Sequence, residues 1–513
     1  MGAGTVSAPL DQLTSWDADW KGLRVVVAGL GLSGFSAADT LIELGAMVVV
    51  VDSGAGDESA SRADTLRIVG AHDVLLGDQH TRSLPRINGQ AADLVVASPG
   101  WPPHHPLLAA AADAGIPIWG DVELAWRVNE RAGRKSAEWL VITGTNGKTT
   151  TVGMTASMLQ AAGLRAIAAG NVGTPILDAV RDPRGYDVIA VELSSFQLHY
   201  THTMSPLASV VLNIAQDHVD WHGSFEQYQA DKARIYERTR IAAIYNVDAP
   251  VTERMVEEAD VVEGCRAIGF TTGTPSRSML GVVDDLLVDR AYIEQRHDTA
   301  AELASLEDFG GVAPRHMVAN ALAAAALVRA YGVEPAAVRE GLRGFDRGEH
   351  RIQAVARRDD VLWINDSKAT NPHAAAASLA AFTSVVWIAG GLSKGVDYSD
   401  LVARFAPRLR AVVLIGTDTT ALRGALERHA PTVPVIEAPV GETGTQTADA
   451  MDRRQRGTLV MTAAVQAAAG LARAGDTVLM APAAASMDQF TSYAHRGSAF
   501  IEAVSRLMED EEN

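Results

Sequence analysis

Residues 139–152 read Trp-Leu-Val-Ile-Thr-Gly-Thr-Asn-Gly-Lys-Thr-Thr-Thr-Val, and this stretch decides the fold around it. An apolar run ends in a loop bracketed by glycines, and a lysine and three threonines then open a helical pattern. Backbone N–H groups of such a loop can surround a phosphate, and the N-terminus of the following helix favours its negative charge. The pattern predicts a nucleotide phosphate loop, with Lys148 on the β- and γ-phosphates and the Thr149 hydroxyl on Mg²⁺.

The spacing of this loop differs from that of an ordinary P-loop. The ordinary pattern carries a glycine five positions before Gly147, where this chain has Ile142. A strand–turn–helix corner with a chance lysine is therefore the alternative interpretation of the stretch.

Length and composition limit the classes of protein that remain. A chain of 513 residues is too long for one hydrophobic core and predicts two to four domains. With 44 basic and 62 acidic residues, the formal net charge is −18, which argues against nonspecific nucleic-acid binding. The single cysteine excludes an internal disulfide and fits a reducing compartment. No apolar run of about 18 residues occurs, and residues 1–20 lack the basic start and apolar stretch of a signal peptide, so we expect a cytoplasmic protein without a membrane span. We separately expect a monomer.

Apolar strand-like runs alternate with helical stretches in three successive segments, which predicts α/β domains with parallel sheets. Polar stretches at residues 129–138 and 346–350 are the candidate linkers. Residues 441–457 are polar and poor in large apolar side chains, so we expect an inserted surface loop there.

A second glycine loop lies near the start of the chain. Gly29-Leu-Gly-Leu-Ser-Gly34 follows a strand and opens a helix, and Asp52 ends the next strand. This pattern is typical of nucleotide binding, and it would suit a nicotinamide dinucleotide as well as the pyrophosphate of another nucleotide. Tyr228 and Lys232 also match the Tyr-x-x-x-Lys of short-chain dehydrogenases, but that family is much shorter and would leave residues 139–152 unexplained.

Polar residues follow several other strands. Glu192 ends the run at 188–191, and His218 lies in a loop after the run at 210–212, so both are candidate metal ligands. In the third segment, Asn-Asp-Ser-Lys-Ala-Thr-Asn at 365–371 follows a strand and suits contacts to a nucleotide and an acidic substrate. The carboxyl ends of parallel strands are the edge where such sheets bind ligands.

Together these motifs resemble the Mur ligase family, on the branch that adds D-glutamate. The features that carry the resemblance are Gly-Thr-Asn-Gly-Lys-Thr-Thr at 144–150, the Gly29 loop, Ser98-Pro99-Gly100, the 365–371 motif and Ser-Met-Asp-Gln-Phe at 486–490. The Asp-Asn-Pro-Arg motif of the branch that adds a diamino acid is absent. A folylpolyglutamate synthase, the related alternative, lacks a domain like that of the Gly29 loop.

The resemblance implies three α/β domains. They are an N-terminal Rossmann-like domain that binds a UDP substrate (1–133), a central P-loop-type mononucleotide-binding ATPase domain (134–347) and a C-terminal Rossmann-like domain that binds D-glutamate (348–513). It also implies an ATP-dependent ligase that uses ATP and Mg²⁺ and acts on UDP-N-acetylmuramoyl-L-alanine (UDP-MurNAc-L-Ala) and D-glutamate.

The resemblance further implies a role for each matching residue. The catalytic residues are Lys148, Glu192, His218 and Lys232, and the metal ligands are Thr149, Glu192, His218 and a carbamylated Lys232. The ATP contacts are Gly144, Thr145, Asn146, Gly147, Lys148, Thr149, Thr150, Asn320, Arg351 and Asp366. The UDP-substrate contacts are Gly29, Gly31, Ser33, Gly34, Asp52, Ser53, Gly100 and Asn171. The D-glutamate contacts are Lys368, Thr370, Lys394, Ser486 and Tyr493. The chain departs from the family at Met317, where Asn is frequent, and at Tyr493, where Phe is frequent.

Overall fold

The structure, a computed structural model, describes residues 10–54, 56–309, 313–346, 350–393, 395–438 and 453–510. The chain forms two compact units, Met1–Ala313 with Met317–Phe345, and Pro314–His316 with Asp346–Asn513. The first unit contains two sheets and the second contains one. No helix within the described ranges is both long and apolar enough to cross a bilayer.

The first sheet is parallel throughout, with strand order β3-β2-β1-β4-β5. Its strands are rich in buried valine, as expected where helices cover both faces. The strands are β1 (Arg24–Ala28), β2 (Met47–Asp52), β3 (Asp73–Leu76), β4 (Leu94–Ala97) and β5 (Ile118–Gly120). The helices are α1 (Leu32–Glu43), α2 (Asp57–Val69), α3 (Pro106–Asp113) and α4 (Asp121–Val128).

The central sheet has nine strands, in the order β14-β13-β12-β11-β10-β9-β6-β8-β7. The strands are β6 (Glu138–Thr143), β7 (Ala166–Gly170), β8 (Val188–Glu192), β9 (Ala208–Val211), β10 (Ala242–Asn246), β11 (Arg266–Phe270), β12 (Met279–Val283), β13 (Leu286–Asp289) and β14 (Ala301–Ser305). The helices are α5 (Lys148–Ala161), α6 (Ile176–Arg181), α7 (Ser195–His199), α8 (Val219–His222), α9 (Phe225–Ala233), α10 (Pro250–Glu257), α11 (Arg315–Tyr331) and α12 (Pro335–Arg343). The strands from β6 to β11 pair in parallel, which brings their carboxyl ends to one edge.

The two sheets of the first unit are joined by packed helices. Arg181 on α6 forms ion pairs with Asp39 at 2.6 Å and Glu43 at 2.7 Å, both on α1. At the other side of the junction the rings of Trp126 and Trp139 meet edge to face at 5.1 Å. Charged and aromatic contacts therefore hold the Gly29 loop domain against the phosphate-loop domain within one compact unit.

The third sheet has the order β15-β16-β20-β17-β18-β19, with β15 antiparallel at one edge. The strands are β15 (Gln353–Arg358), β16 (Val361–Asn365), β17 (Val385–Gly390), β18 (Leu409–Ile415), β19 (Val435–Glu437) and β20 (Thr477–Met480). The helices are α13 (Pro372–Leu379), α14 (Ser399–Phe405), α15 (Thr420–His429), α16 (Arg453–Leu471) and α17 (Tyr493–Asp510).

The predicted α/β class with parallel sheets is confirmed, and two local expectations change. The antiparallel strands β12 to β14 extend the central sheet and were not predicted. The expected surface loop at 441–457 is wrong for residues 453–457, which form the first turn of α16. Gly457 is buried there, where an added Cβ would lie 2.7 Å from the Phe490 ring, so a helix without large apolar residues at its start still packs. Residues 441–452 lie outside the described residues.

Candidate active site

The loop between β6 and α5 requires glycine at both ends. Gly144 has φ +153° and Gly147 has φ +87°, which side-chain-bearing residues rarely adopt. An added Cβ at Gly147 would lie 2.6 Å from the Asn320 side-chain oxygen on α11. The structure thus brings Asn320, predicted to contact ATP, against the phosphate loop.

Asn213, which follows β9, holds this loop in place. Its side-chain oxygen accepts the Asn146 N–H at 2.9 Å, its amide donates to the Asn146 carbonyl at 3.0 Å, and its own carbonyl accepts the Thr145 N–H at 3.0 Å. The Thr145 hydroxyl bonds the Tyr228 hydroxyl at 2.9 Å. Asn213 belongs to none of the motifs recognised in the sequence, and Tyr228 was considered only as part of a dehydrogenase motif. The position of Asn213 directly after a strand was the available signal.

Two lysine amines reach the same end of the loop. Lys148 Nζ donates to the Gly144 carbonyl at 3.0 Å and to the Thr145 carbonyl at 3.1 Å. Lys232, only 2% exposed, also donates to the Gly144 carbonyl at 3.0 Å, and to the Thr143 hydroxyl at 3.2 Å. Burial lowers the pKa of Lys148, and burial together with the nearby Lys148 charge lowers the pKa of Lys232 well below its ordinary value. Lys232 is therefore the amine that the site favours in its neutral form.

Glu192 ends β8 beside these amines and is 2% exposed. Its Oε1 accepts a hydrogen bond from the Asn171 amide at 3.0 Å. Its Oε2 is buried without a hydrogen-bond partner among the described residues, a costly arrangement for a carboxylate oxygen. A cation would satisfy that oxygen. Asn171, which was predicted to contact the UDP substrate, is thus hydrogen-bonded to the candidate metal ligand Glu192.

His218 lies at the N-terminus of α8 in a left-handed conformation, with φ +51°. Its ring meets Phe196 at 4.9 Å, and Nε2 lies 3.5 Å from an Asp217 oxygen. Partial burial lowers the pKa of His218, the nearby Asp217 carboxylate opposes this shift, and the charges of Lys232 and Lys148 add to the lowering. The imidazole is therefore biased toward the neutral form that binds metals.

The residues present fit Mg²⁺ only with help from other oxygen donors. Among the described residues, His, Cys, Asp and Glu side chains form no group of three that could hold a metal ion. Mg²⁺ commonly binds one or two carboxylates and completes its shell with phosphate oxygens and water. The free Glu192 oxygen and the Thr149 hydroxyl after the loop suit that arrangement, and a carbamate on Lys232 would add further oxygens.

The three glycines of the first-domain loop differ in what they require. Gly29 has φ +104°, and an added Cβ at Gly34 would lie 2.0 Å from the Gly29 carbonyl oxygen, so both are needed for folding. Gly31 has φ −68°, and an added Cβ there meets nothing within 4 Å. Space beside the backbone at Gly31 is the feature a pyrophosphate requires.

Other residues predicted around this loop divide into two groups. Asp52 is occupied by backbone groups, because its carboxylate accepts the Leu30 N–H of the glycine loop and the Gly54 N–H just after β2, each at 2.6 Å. The Ser33 hydroxyl bonds the buried Asp121. Ser53 and Gly100 are exposed at the ends of their strands.

In the second unit, Lys368 Nζ lies 3.8 Å from the centroid of the Tyr493 ring. The Thr370 N–H donates to the Lys368 carbonyl at 2.8 Å, which makes a tight turn of the predicted D-glutamate loop. Ser486 is 4% exposed after β20. Arg351 lies just before β15 and makes further polar contacts. Lys394 lies outside the described residues.

Arg496 connects these loops, although no role for it was predicted from the sequence. Its guanidinium is fully buried and donates to the Ser367 hydroxyl at 3.0 Å, the Ser367 carbonyl at 2.9 Å and the Ala484 carbonyl at 3.1 Å. The Ser367 hydroxyl in turn donates to the Tyr493 carbonyl at 2.7 Å. A buried arginine thus fixes the loops that carry Lys368 and Ser486.

Asp366 has a strongly perturbed environment. Burial raises its pKa to about 6, although the Ser378 hydroxyl and the Ile352 N–H both donate to it.

A carboxyl group whose pKa is raised by folding stabilises the fold below the pKa of the unfolded chain, and this stabilisation is lost as pH rises through about 6. Asp366→Asn stays neutral and escapes this loss. The difference in free energy of unfolding between Asp366→Asn and the wild type should therefore be about 1–3 kcal/mol more favourable to the variant at pH 8 than at pH 4.5. Urea unfolding of both proteins at pH 4.5 and pH 8 measures this change. The same difference between variant and wild type at both pH values would contradict the prediction.

These observations first define a class: a multidomain α/β nucleotide-binding protein built around a phosphate loop. Three family descriptions match the chain: the MurD-like N-terminal domain at 23–120, the Mur ligase middle domain at 142–328 and the Mur ligase glutamate ligase domain at 350–484. The chain belongs to the Mur ligase family. The predicted resemblance and the three-domain architecture are confirmed.

Curated relatives align over nearly the whole chain. The UDP-N-acetylmuramoylalanine–D-glutamate ligase of Streptomyces avermitilis is 55% identical over 489 residues, covering 95% of this chain and 99% of the relative. The ligase of the same name from Leifsonia xyli subsp. xyli is 52% identical over 511 residues, covering 97% and 95%. Among solved structures, the MurF ligase of Thermotoga maritima shares the fold with a TM-score of 0.52 at 17% identity, covering 91% of this chain and 96% of that one.

Proposed function

We propose that this chain is an ATP-dependent ligase that adds D-glutamate to UDP-MurNAc-L-Ala. The relatives' names supply the substrate class, and one observation at the site carries the chemistry. The buried amine of Lys232, the half-buried amine of Lys148 and a Glu192 oxygen that has no hydrogen-bond partner among the described residues lie at a phosphate loop, which is an arrangement for holding a charged phosphoryl group and a cation. The domain boundaries at 133/134 and 347/348, the monomeric state and the cytoplasmic location stay predictions.

In the proposed reaction the L-alanyl carboxylate attacks the γ-phosphorus of ATP, and ADP leaves. The amine of D-glutamate then attacks the acyl carbon, loses a proton and expels phosphate. Lys148 would leave the Gly144 and Thr145 carbonyls to hold the transferring phosphoryl oxygens, and Asn213 would keep the loop N–H groups in place. Mg²⁺, when bound, neutralises charge on the phosphates, and Thr149, Glu192, His218 and carbamylated Lys232 are the residues that would hold it.

In the second unit, Lys368, Thr370, Lys394, Ser486 and Tyr493 would bind D-glutamate. The Lys368 ammonium is positioned over the Tyr493 ring at 3.8 Å, so a carboxylate could approach it from the open side. Because that ring rests on a backbone fixed by Ser367 and Arg496, the cation is directed before the substrate arrives.

The proposal is tested by phosphate release and product mass with UDP-MurNAc-L-Ala, ATP and a panel of amino acids. We expect product with D-glutamate and little with L-glutamate, D-glutamine or a diamino acid. Release with another amino acid only would place the chain on another branch of the family. Saturable micromolar binding of NADH at the first domain would instead support the dehydrogenase interpretation of the Gly29 loop.

Gly31 provides a selective test of the first domain. Since an added Cβ there meets nothing within 4 Å, Gly31→Val should fold normally yet obstruct the backbone beside the pyrophosphate. We expect the Kd for UDP-MurNAc-L-Ala to rise at least about tenfold with ATP binding unchanged. Calorimetric titration measures both. Gly34→Ala is the contrasting variant and should lose stability. Unchanged UDP-substrate binding by Gly31→Val would place the pyrophosphate elsewhere.

A further inference from the structure

An arginine outside every recognised motif contacts the first-domain glycine loop. Arg62 lies on α2, and its Nη1 donates to the Leu30 carbonyl at 3.1 Å. Its Nη2 donates to Glu58, one turn earlier, at 2.6 Å, and its side chain is 28% exposed. The guanidinium therefore lies one residue from the open backbone at Gly31 and remains accessible from solvent.

The charge around the loop gives this position its importance. The Asp52 carboxylate adds negative charge beside the loop, where one oxygen accepts the Leu30 N–H and the other accepts the Gly54 N–H after β2, each at 2.6 Å. A pyrophosphate beside Gly31 brings further negative charge into a chain whose net charge is already −18. Among the described residues, Arg62 is the cation that the structure shows hydrogen-bonded to residues 29–34.

The partner that Arg62 now has is easily given up. Glu58 is 80% exposed on its side chain, and exposed ion pairs within a helix contribute little. Planar guanidinium groups bind phosphate oxygens through paired N–H donors, and such charge-assisted pairs are stronger when they are shielded from solvent than when one partner is exposed. Exchange of Glu58 for a phosphate therefore costs little in lost ion-pair energy.

We propose that Arg62 binds the pyrophosphate of the UDP substrate and offsets the charge of Asp52. The inference rests on the proposed function for the identity of that substrate. It assigns a binding role to α2, which follows the glycine loop by more than twenty residues and carries no nucleotide-binding motif.

Arg62→Gln is the central variant, and Arg67→Gln is its matched control. Arg67 lies on the same helix and likewise pairs with a helical acid, Asp64 at 2.9 Å, and a carbonyl, that of Val74 at 2.9 Å, but on the side of β3. By calorimetric titration of the full chain, Arg62→Gln should raise the Kd for UDP and for UDP-MurNAc-L-Ala about tenfold, with the Kd for ATP unchanged. Arg67→Gln should match the wild type for all three.

Two further measurements separate a phosphate contact from simple support of the loop. Arg62→Lys keeps the charge but not the paired N–H donors, so it should recover part of the affinity. The dependence of UDP affinity on salt concentration should become shallower in Arg62→Gln, because one charge interaction is lost. Equal UDP binding by Arg62→Gln and the wild type, or equal weakening in Arg62→Gln and Arg62→Lys with an unchanged salt dependence, would overturn the inference. Wild-type protein that binds UDP but ligates nothing would overturn the proposed function and leave Arg62 in place.

Discussion

Replacing Lys148 by alanine should lower kcat/KM for ATP-dependent ligation about 10²- to 10³-fold. One charge-assisted phosphate contact is lost, which costs about 3–4 kcal/mol in the transition state. The fold should survive, because the Gly144 carbonyl that Lys148 releases still accepts a hydrogen bond from Lys232. Phosphate release and product formation measure the effect, and the urea midpoint checks the fold.

Lys135 provides the control for this substitution. It is exposed in the segment before β6, so Lys135→Ala should keep wild-type activity. Lys148→Arg keeps the charge but not the compact shape of the ammonium group, and we expect it to recover little activity in so narrow a loop. Near-normal phosphate release by Lys148→Ala would remove the phosphate-loop assignment altogether.

Replacing Lys232 by alanine should leave almost no activity, and a small carboxylate should restore part of it. A lysine amine with the ordinary pKa of about 10.4 is protonated at neutral pH, and this cation would repel Mg²⁺. Carbamylation requires the neutral amine, and burial beside Lys148 lowers the pKa of Lys232 in the needed direction. The product is an anion with two oxygens, the ligand type that Mg²⁺ prefers. Acetate or formate could occupy the space that the shortened side chain leaves and supply those oxygens.

The experiment compares ligation by Lys232→Ala with and without acetate, against the wild type and Lys148→Ala under the same conditions. Only Lys232→Ala should respond to acetate. A carbonyl resonance after incubation of the wild type with ¹³C-labelled CO₂, absent from Lys232→Ala, is a readout independent of activity. An active Lys232→Ala enzyme, or a wild type without the label, would defeat the carbamate proposal.

Local patterns predicted the framework of the fold, because strands buried on both faces read as valine and isoleucine runs and glycine loops follow them directly. Strands β12 to β14 have only four or five residues each, and they are added to the sheet at the edge formed by β11, so the short runs alone did not indicate the pairing. The polar contacts of the site were harder still. Asn146 and Asn213 are 67 positions apart, and Arg496 and Ser367 are 129 apart, so only the folded chain brings them together.

The Arg62 contact illustrates the same limit from another direction. No motif marks α2, and an arginine four residues after a glutamate on a helix is usually an ordinary surface pair. The proposed role of Arg62 depends on its hydrogen bond to the Leu30 carbonyl, which belongs to the glycine loop and not to α2. Residues that act by lying beside a motif, and not within it, are invisible to pattern reading.

The junction between the first two sheets has a consequence for substrate choice. Because α1 and α6 are joined by the ion pairs of Arg181 and the first two domains form one compact unit, the spacing between the two glycine loops is set before any ligand arrives. A substrate anchored at the Gly29 loop can then deliver its carboxylate to the phosphate loop only if its length matches that spacing. The unit would therefore select substrates by length. A nucleotide sugar with a shorter or longer acyl arm would bind at the Gly29 loop, but its carboxylate would not reach the phosphate loop.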